Sequence, residues 1–506
     1  MEDIISFLKE IDRLAKQQEE ISNAKGESFN VFKLCGVNHY ENSHSDIIAE
    51  FLNPKGSHGC GNDFLLEFCR IVGLDASQYE NADVDVTREH QILGGSGRVD
   101  IIIEAGTSKI IIENKIYANE GEYQLRKYRN WLNTKSGEEA PLFFLTLDGR
   151  ESNDKDMKGL YTPISYESHI MPWLNECIRI AAEKPFVRES LIQYKNLVED
   201  LTNGDVKEIE RIKTLFAPIS ENFGTAILIK ENVDKAKAMW LWNNILVPLT
   251  RKGFTVDRSF DKMLDGNDIF LTYGEEKKDK IIYAFNSYGF NNPRREIVHP
   301  DGRKESTTRD VPHNWSDEFF EEITPKNSDE VAKKAKQKII EDAQQFQIEG
   351  AVPGKAMELG TPDKLFESIA KDFKSAIIVK NYVDKVKAMW LWDNILVPLT
   401  GKEFTVDRSL QEMVVTNDVF LSFDKKVINR KIVYAFNNLG FKKPRREIIT
   451  YDDAGNEGEK KSTTSNVPHK WNNEFFEGIT QNNSRIIAEK AIREIIDDKD
   501  KYLAEE

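Results

Sequence analysis

One stretch of this 506-residue chain gathers residue types that can do chemistry: GRVDIIIEAGTSKIIIENKIYANEGEYQLRKY, residues 97–128. Asp100 lies on an apolar run, and Glu113 and Lys115 interrupt the next one. The spacing from Asp100 to Glu113 is enough for a strand, a tight turn at Ala105–Ser108 and a return strand, which can set the two carboxylates side by side. Glu113 and Lys115, two apart on a strand, share a face. Two carboxylates and an ammonium among isoleucines are costly to bury without a partner. A divalent cation resolves that cost through oxygen ligation. The ammonium can then orient a water or stabilise charge developing on phosphorus. The competing reading is a Glu–Lys pair on a solvated strand face.

The flanking sequence supplies elements to hold these groups. Helical patterns at 2–20, 43–53 and 63–72 precede the strands DVDVTREHQI, RVDIIIEA, KIIIENKIYA and PLFFLTLD. The helix EGEYQLRKYRNWLNT falls between the third and fourth strands, and helices return at 169–182 and 185–201. Gln124 and Tyr128 are four apart and share one face of the helix after the ExK strand, against a core-packed tyrosine as the plainer role. Glu41 and His44, three apart, share a face of an earlier helix for which Ser43 is the candidate cap. His58 in the loop PKGSHGCG either touches phosphate or orders the loop. Arg126 and Lys127, with Arg129, either neutralise backbone phosphates or are solvated helix charges.

With those residues in place, Asp100 followed by Glu113-Asn114-Lys115 resembles the D…(D/E)xK core of the PD-(D/E)XK nuclease superfamily. Gln124 and Tyr128 resemble the QxxxY element of its RecB-like branch. The block HSDIIAEFLNPKGSHGCGNDFLLEF is similar to an uncharacterised bacterial branch of the superfamily. The resemblance spans residues 30–200, with helix, D-strand, ExK-strand and QxxxY-helix in the expected order. Val99 stands where the motif's proline would be, and the chemistry belongs to the Asp. The resemblance implies a restriction-endonuclease-like α/β (α+β) core, a mixed sheet flanked by helices. It implies Mg²⁺, with Mn²⁺ as a substitute, on Asp100 and Glu113, a third ligand from Glu41 or His44 (Glu50 a weaker choice), and the carbonyl of Asn114. Lys115 then positions the attacking water, Gln124 and Tyr128 complete the catalytic set, and the product carries a 5′-phosphate.

A different architecture fills the second half. Lys237–Thr250, KAMWLWNNILVPLT, returns as KAMWLWDNILVPLT at Lys387–Thr400, identical at 13 of 14 positions. FTVDRS, YAFN, PRREI and the VPHxW segment recur in the same order, so the unit is a duplication of domain size. Each copy reads as α–β–β–β–α with a small antiparallel sheet. The expected boundaries are a nuclease-like domain with its N-terminal helix at 1–206, a first copy at 207–350 and a second at 351–506. Arg294, Arg295, Arg445 and Arg446, the last two preceded by Lys442 and Lys443, are candidate nucleic-acid contacts. His313, Trp315, His469 and Trp471 add aromatic surface to that reading. The alternative is that the copies bind a protein and the arginines are salt-bridged. Trp240, Trp242, Trp390 and Trp392 read as core.

Composition limits the classes. The chain has 40% hydrophobic residues and 51 aromatics, which excludes wholesale disorder. No apolar run approaches membrane-spanning length, so no membrane partner is expected and the compartment reads as cytoplasmic. Cys35, Cys60, Cys69 and Cys177 form no CxxC pair and read as buried free thiols. The net charge of −15 is uneven: residues 1–206 hold 35 acids and 22 bases, while the rest is nearly neutral. A polyanion must therefore be met through local cations. The expectation is a metal-dependent nuclease acting on nucleic acid, DNA before RNA, with duplicated recognition or regulatory modules that answer to a protein trigger. Homo-oligomerisation and a place in bacterial antiviral defence complete that expectation, the latter by analogy of architecture. The rival is a non-catalytic nucleic-acid- or protein-binding scaffold on the same fold.

Overall fold

The computed structural model describes the chain except residues 1, 27–28, 38–39, 93–96, 119, 122, 138, 203–205, 267, 276, 286–292, 347, 349–356, 361–362, 417–418, 426–429, 437–443, 453–456, 469 and 505–506. Lys442, Lys443 and His469 thus lie outside the described residues. The chain divides into two compact units, residues 21–209 and residues 1–20 with 210–506. The first twenty residues, part of helix α1 (Glu2–Lys25), group with the second half rather than with the domain they precede.

In the unit 21–209, five strands lie in chain order: β1 (Val84–Gln91), β2 (Arg98–Ala105), β3 (Ser108–Lys115), β4 (Leu142–Thr146) and β5 (Thr162–Ser165). The first three are antiparallel and the last three parallel, giving a mixed sheet. Both faces are covered, which is why these strands read as near-continuous isoleucine runs. On one face Ile101, Ile103, Ile112 and Phe143 meet helices α2 (Glu41–Leu52), α3 (Asp63–Ile71), α5 (Met171–Ile180) and α6 (Pro185–Thr202) through Leu52, Phe68, Trp173 and Leu191. On the other, Ile102, Ile111 and Phe144 meet Leu125, Tyr128 and Leu132 of helix α4 (Gln124–Lys135). The β2–β3 hairpin turns at Gly106, whose φ of 59° suits a residue without a Cβ, and pairs Ile101 with Ile112.

The second unit holds two five-stranded antiparallel sheets, each a meander in chain order. The first comprises β6 (Phe254–Val256), β7 (Ile269–Tyr273), β8 (Lys280–Phe285), β9 (Arg294–Val298) and β10 (Lys304–Thr307); the second comprises β11 (Thr405–Val406), β12 (Val419–Lys425), β13 (Arg430–Phe436), β14 (Arg445–Tyr451) and β15 (Glu457–Thr463). The three strands expected per copy are therefore five. The two additional strands in each copy are the PRREI segment, which reads as a basic patch because charges alternate with isoleucine, and the strand that follows it. A long helix opens each copy, α7 (Phe223–Leu241) and α9 (Phe373–Leu391), and another closes it, α8 (Ser328–Gln345) and α10 (Ser484–Ala504).

The two copies contact each other reciprocally. Lys230 of α7 pairs with Asp384 of α9, and Lys380 of α9 pairs with Asp234 of α7. Phe223 meets Phe476 and Phe320 meets Phe373, each with ring centroids 5.1 Å apart. Positions equivalent in the repeat thus exchange roles across the contact, the pattern of an isologous interface.

Candidate active site

The parity of β2 and β3 places Asp100, Glu113 and Lys115 on the face that carries α4. Lys115 Nζ is the hub. It lies 2.6 Å from Glu113 Oε1, 3.1 Å from the Asn114 carbonyl, 3.8 Å from Asp100 Oδ2 and 3.8 Å from Glu41 Oε2. Asp100 Oδ2 is fixed by the Asn114 backbone N–H at 2.9 Å. Glu41 Oε1 accepts from the N–H groups of Ile116 and Ala118, at 2.8 and 2.9 Å. Three carboxylates and one carbonyl therefore surround a single ammonium.

Helix α4 holds the remaining edge. Gln124 Nε2 donates to Glu113 Oε1 at 2.6 Å and lies 2.9 Å from the Tyr128 hydroxyl, which donates to the Arg98 carbonyl at 2.6 Å. The i, i+4 spacing thus brings both side chains to the cluster. Glu113 is wholly buried, and its Oε2 has no hydrogen-bond partner. Burial, then the neighbouring Asp100, push its carboxyl up to about 8 although Lys115 pulls the other way. Burial disfavours the Lys115 ammonium, but Glu113 and Asp100 outweigh it and hold its pKa above the ordinary lysine value.

The strand's other face anchors Asn114. Its side chain donates to Ser45 Oγ at 2.9 Å and to the Glu41 carbonyl at 3.3 Å, and accepts from the Tyr166 hydroxyl at 3.0 Å. His44 belongs to this network rather than to the carboxylate cluster. It is wholly buried, with Nδ1 3.0 Å from the Tyr194 hydroxyl and its ring against Tyr166 and Tyr194. The helix starts at Glu41, so Ser43 lies inside it and does not cap it.

Other candidates find local partners. His58 is buried, 2.8 Å from the Asn53 carbonyl and stacked on Phe64, so it orders its loop. Glu50 accepts from Ser57 in the same loop. Arg126 is bound by Asp154 and Asp156, and Arg129 donates to the carbonyls of Leu160 and Ala140. Lys127 is exposed on α4. Of the four cysteines, Cys35 is exposed and the other three are buried free thiols.

In the second unit the arginines serve the fold. Arg295 pairs with Asp342 of α8, and Arg446 pairs with Asp498 of α10. Tyr283 and Tyr434 donate to the same two aspartates, at 2.8 and 3.0 Å. Arg294 pairs with Glu296 and Arg445 with Glu447. Arg295 and Arg446 are thus engaged in internal ion pairs, whereas Arg294 and Arg445 keep over a third of their side chains exposed. His313, Trp315 and Trp471 are buried, as are Trp240, Trp242 and Trp390, whereas Trp392 is half-buried.

Four residues escaped the sequence reading. Arg88 joins Asp46, the Asn42 carbonyl and the Asp100 carbonyl, tying α2 to β2. Tyr166 and Tyr194 lie far from the motif in sequence, and no local spacing signals them. Arg150 donates to the Ala118 carbonyl at 3.2 Å.

No curated protein and no solved structure matches the chain. A family model described as the PD-(D/E)XK nuclease superfamily matches residues 29–196, about a third of the chain, and covers every residue of the carboxylate–lysine cluster. Over that span, the chain belongs to the PD-(D/E)XK nuclease superfamily.

Proposed function

We propose that the N-terminal domain is a metal-dependent nuclease that hydrolyses phosphodiester bonds of nucleic acid, with DNA as the expected substrate. One observation carries this reading: Glu41, Asp100, Glu113 and the Asn114 carbonyl all face one positive charge, the Lys115 ammonium. Three carboxylates exceed what one ammonium neutralises, and Glu113 Oε2 is buried without a partner. That unmet donor set, all hard oxygen, suits Mg²⁺ or Mn²⁺. Among the described residues no three acidic, histidine or cysteine side chains form a complete cage. Mg²⁺ does not require one, because it keeps several waters and uses one or two carboxylates. When bound there, the cation would polarise the phosphate and acidify a water.

The chain's own residues supply the rest. The N–H of Asn114 fixes Asp100, and two backbone N–H groups fix Glu41. Gln124 orients Glu113 by its hydrogen bond, and Tyr128 holds Gln124 in place. Lys115 keeps its proton and so can hold the attacking water or meet charge on the phosphate. Since Arg295 and Arg446 are engaged internally, the duplicated modules are read as sensing a protein, and a role in bacterial defence follows only from that architecture.

The test is cleavage of plasmid, single-stranded DNA and RNA with Mg²⁺, with Mn²⁺ and with chelator. Metal-dependent cleavage lost in Asp100→Ala is expected. Cleavage that persists in that variant, or none under any condition, would leave the scaffold reading.

A further inference from the structure

Three tyrosines that adjoin site residues in the chain are exposed: Tyr40 is 59% exposed, Tyr117 64% and Tyr123 50%. Tyr40 precedes Glu41, Tyr123 precedes Gln124, and Tyr117 stands between Ile116 and Ala118, whose N–H groups the Glu41 carboxylate holds. The group that would bind metal therefore also fixes the backbone that presents Tyr117. Tyr123 sits at φ 55°, a left-handed conformation that costs a bulky residue roughly 1–2 kcal/mol, and Arg126 lies 5.1 Å from its ring centroid. An outward aromatic held in a strained conformation at a site is the kind of feature function retains.

Charge argues in the same direction. Residues 1–206 carry thirteen more acids than bases. The nearby cations Lys115, Arg126 and Arg88 are already paired with Glu113, Asp154 and Asp46. Arg150, on the Ala118 carbonyl, makes no ion pair among the described residues, and Lys127 of α4 is exposed. With so little positive charge, phosphate attraction alone gives a polyanion a weak hold. Stacking on exposed rings needs no charge and tolerates any base.

We propose that the substrate reaches this site with unpaired bases, which stack on Tyr40, Tyr117 and Tyr123. A duplex hides the base faces that the rings would meet, so the site selects single strands or splayed ends. This rests on the nuclease reading for its catalytic outcome, but stacking itself requires no metal.

The experiment therefore has two arms. In chelator, fluorescence anisotropy follows a fluorescein-labelled dT oligonucleotide, its RNA counterpart and the dT strand paired with dA. Single strands should bind at least about tenfold tighter than duplex, with a shallow salt dependence, and each Tyr→Ala change should weaken binding ~10-fold while Tyr→Trp retains it. With Mg²⁺, the same Ala variants should raise KM and leave kcat. Duplex binding as tight as single-strand binding, or Ala variants that bind like wild type, would overturn the proposal. Loss of cleavage in every arm with the anisotropy pattern intact would instead sink only the nuclease reading.

Discussion

Buried ion clusters in the duplicated modules and in the N-terminal domain differ in their charge balance. In each duplicated module one arginine faces one aspartate, with a tyrosine hydroxyl on the same carboxylate: Arg295, Asp342 and Tyr283, then Arg446, Asp498 and Tyr434. In the N-terminal domain one ammonium faces three carboxylates, and one buried carboxylate oxygen has nothing. A balanced cluster needs no further ligand and serves the fold. An unbalanced one leaves donors unmet, which the proposed cation would complete. Reading charge balance thus separates structural from chemical clusters where residue type alone does not.

The largest expected effect would come from neutralising the excess. Glu113→Gln should reduce cleavage by about 10²–10³-fold or more, the scale of losing one transition-state stabiliser. The same change should raise the melting temperature in chelator, because it removes a carboxyl that burial and Asp100 disfavour. The sign follows from its pKa, raised from 4.5 to about 8 in the fold. Between those values the folded state binds more protons, so metal-free wild type loses stability as pH rises, and Glu113→Gln should flatten that loss. A variant that melts lower than wild type at every pH would break the contrast.

The balanced clusters should behave oppositely. Asp498→Ala leaves Arg446 buried and unpaired, and should cost about 3–5 kcal/mol in chemical denaturation while sparing cleavage at permissive temperature. If it instead abolished cleavage without destabilising, the module's cluster would be chemical. A smaller effect is expected at the contact between copies. Lys230→Ala should cost about 1 kcal/mol, and combined with Asp384→Asn the two losses should be less than additive. Additive losses in that double variant would mean the pair does not couple.

The site was legible in part. Strand alternation and a hairpin of the right length bring Asp100, Glu113 and Lys115 together, and helical spacing does the same for Gln124 and Tyr128. Glu41 and His44 share a helix face, so spacing could not choose between them. What separates them is three-dimensional: Glu41 reaches the N–H groups after β3, while His44 meets Tyr194, 150 positions away. The internal partners of Arg295 and Arg446 were hidden for the same reason. Asp342 and Asp498 lie 47 and 52 positions beyond Arg295 and Arg446, so a basic run in the sequence becomes a neutral pair in space. Fold class was easier, since duplicated patterning and two-sided isoleucine strands are local signals.

The reciprocal contact between the two copies has a consequence for how they can change. Tethered in one chain, partners meet at an effective concentration on the order of millimolar, whatever the cellular level of the protein. Two separate identical subunits must mutate together, whereas fused ones are free to differ. They already do: buried Lys237 and Lys387 each pair with an aspartate one turn back, Asp234 and Asp384, but the first also pairs with Asp317 where the second bonds Asn473. A symmetric assembly written into one polypeptide can thus keep one half as scaffold while the other acquires a ligand of its own.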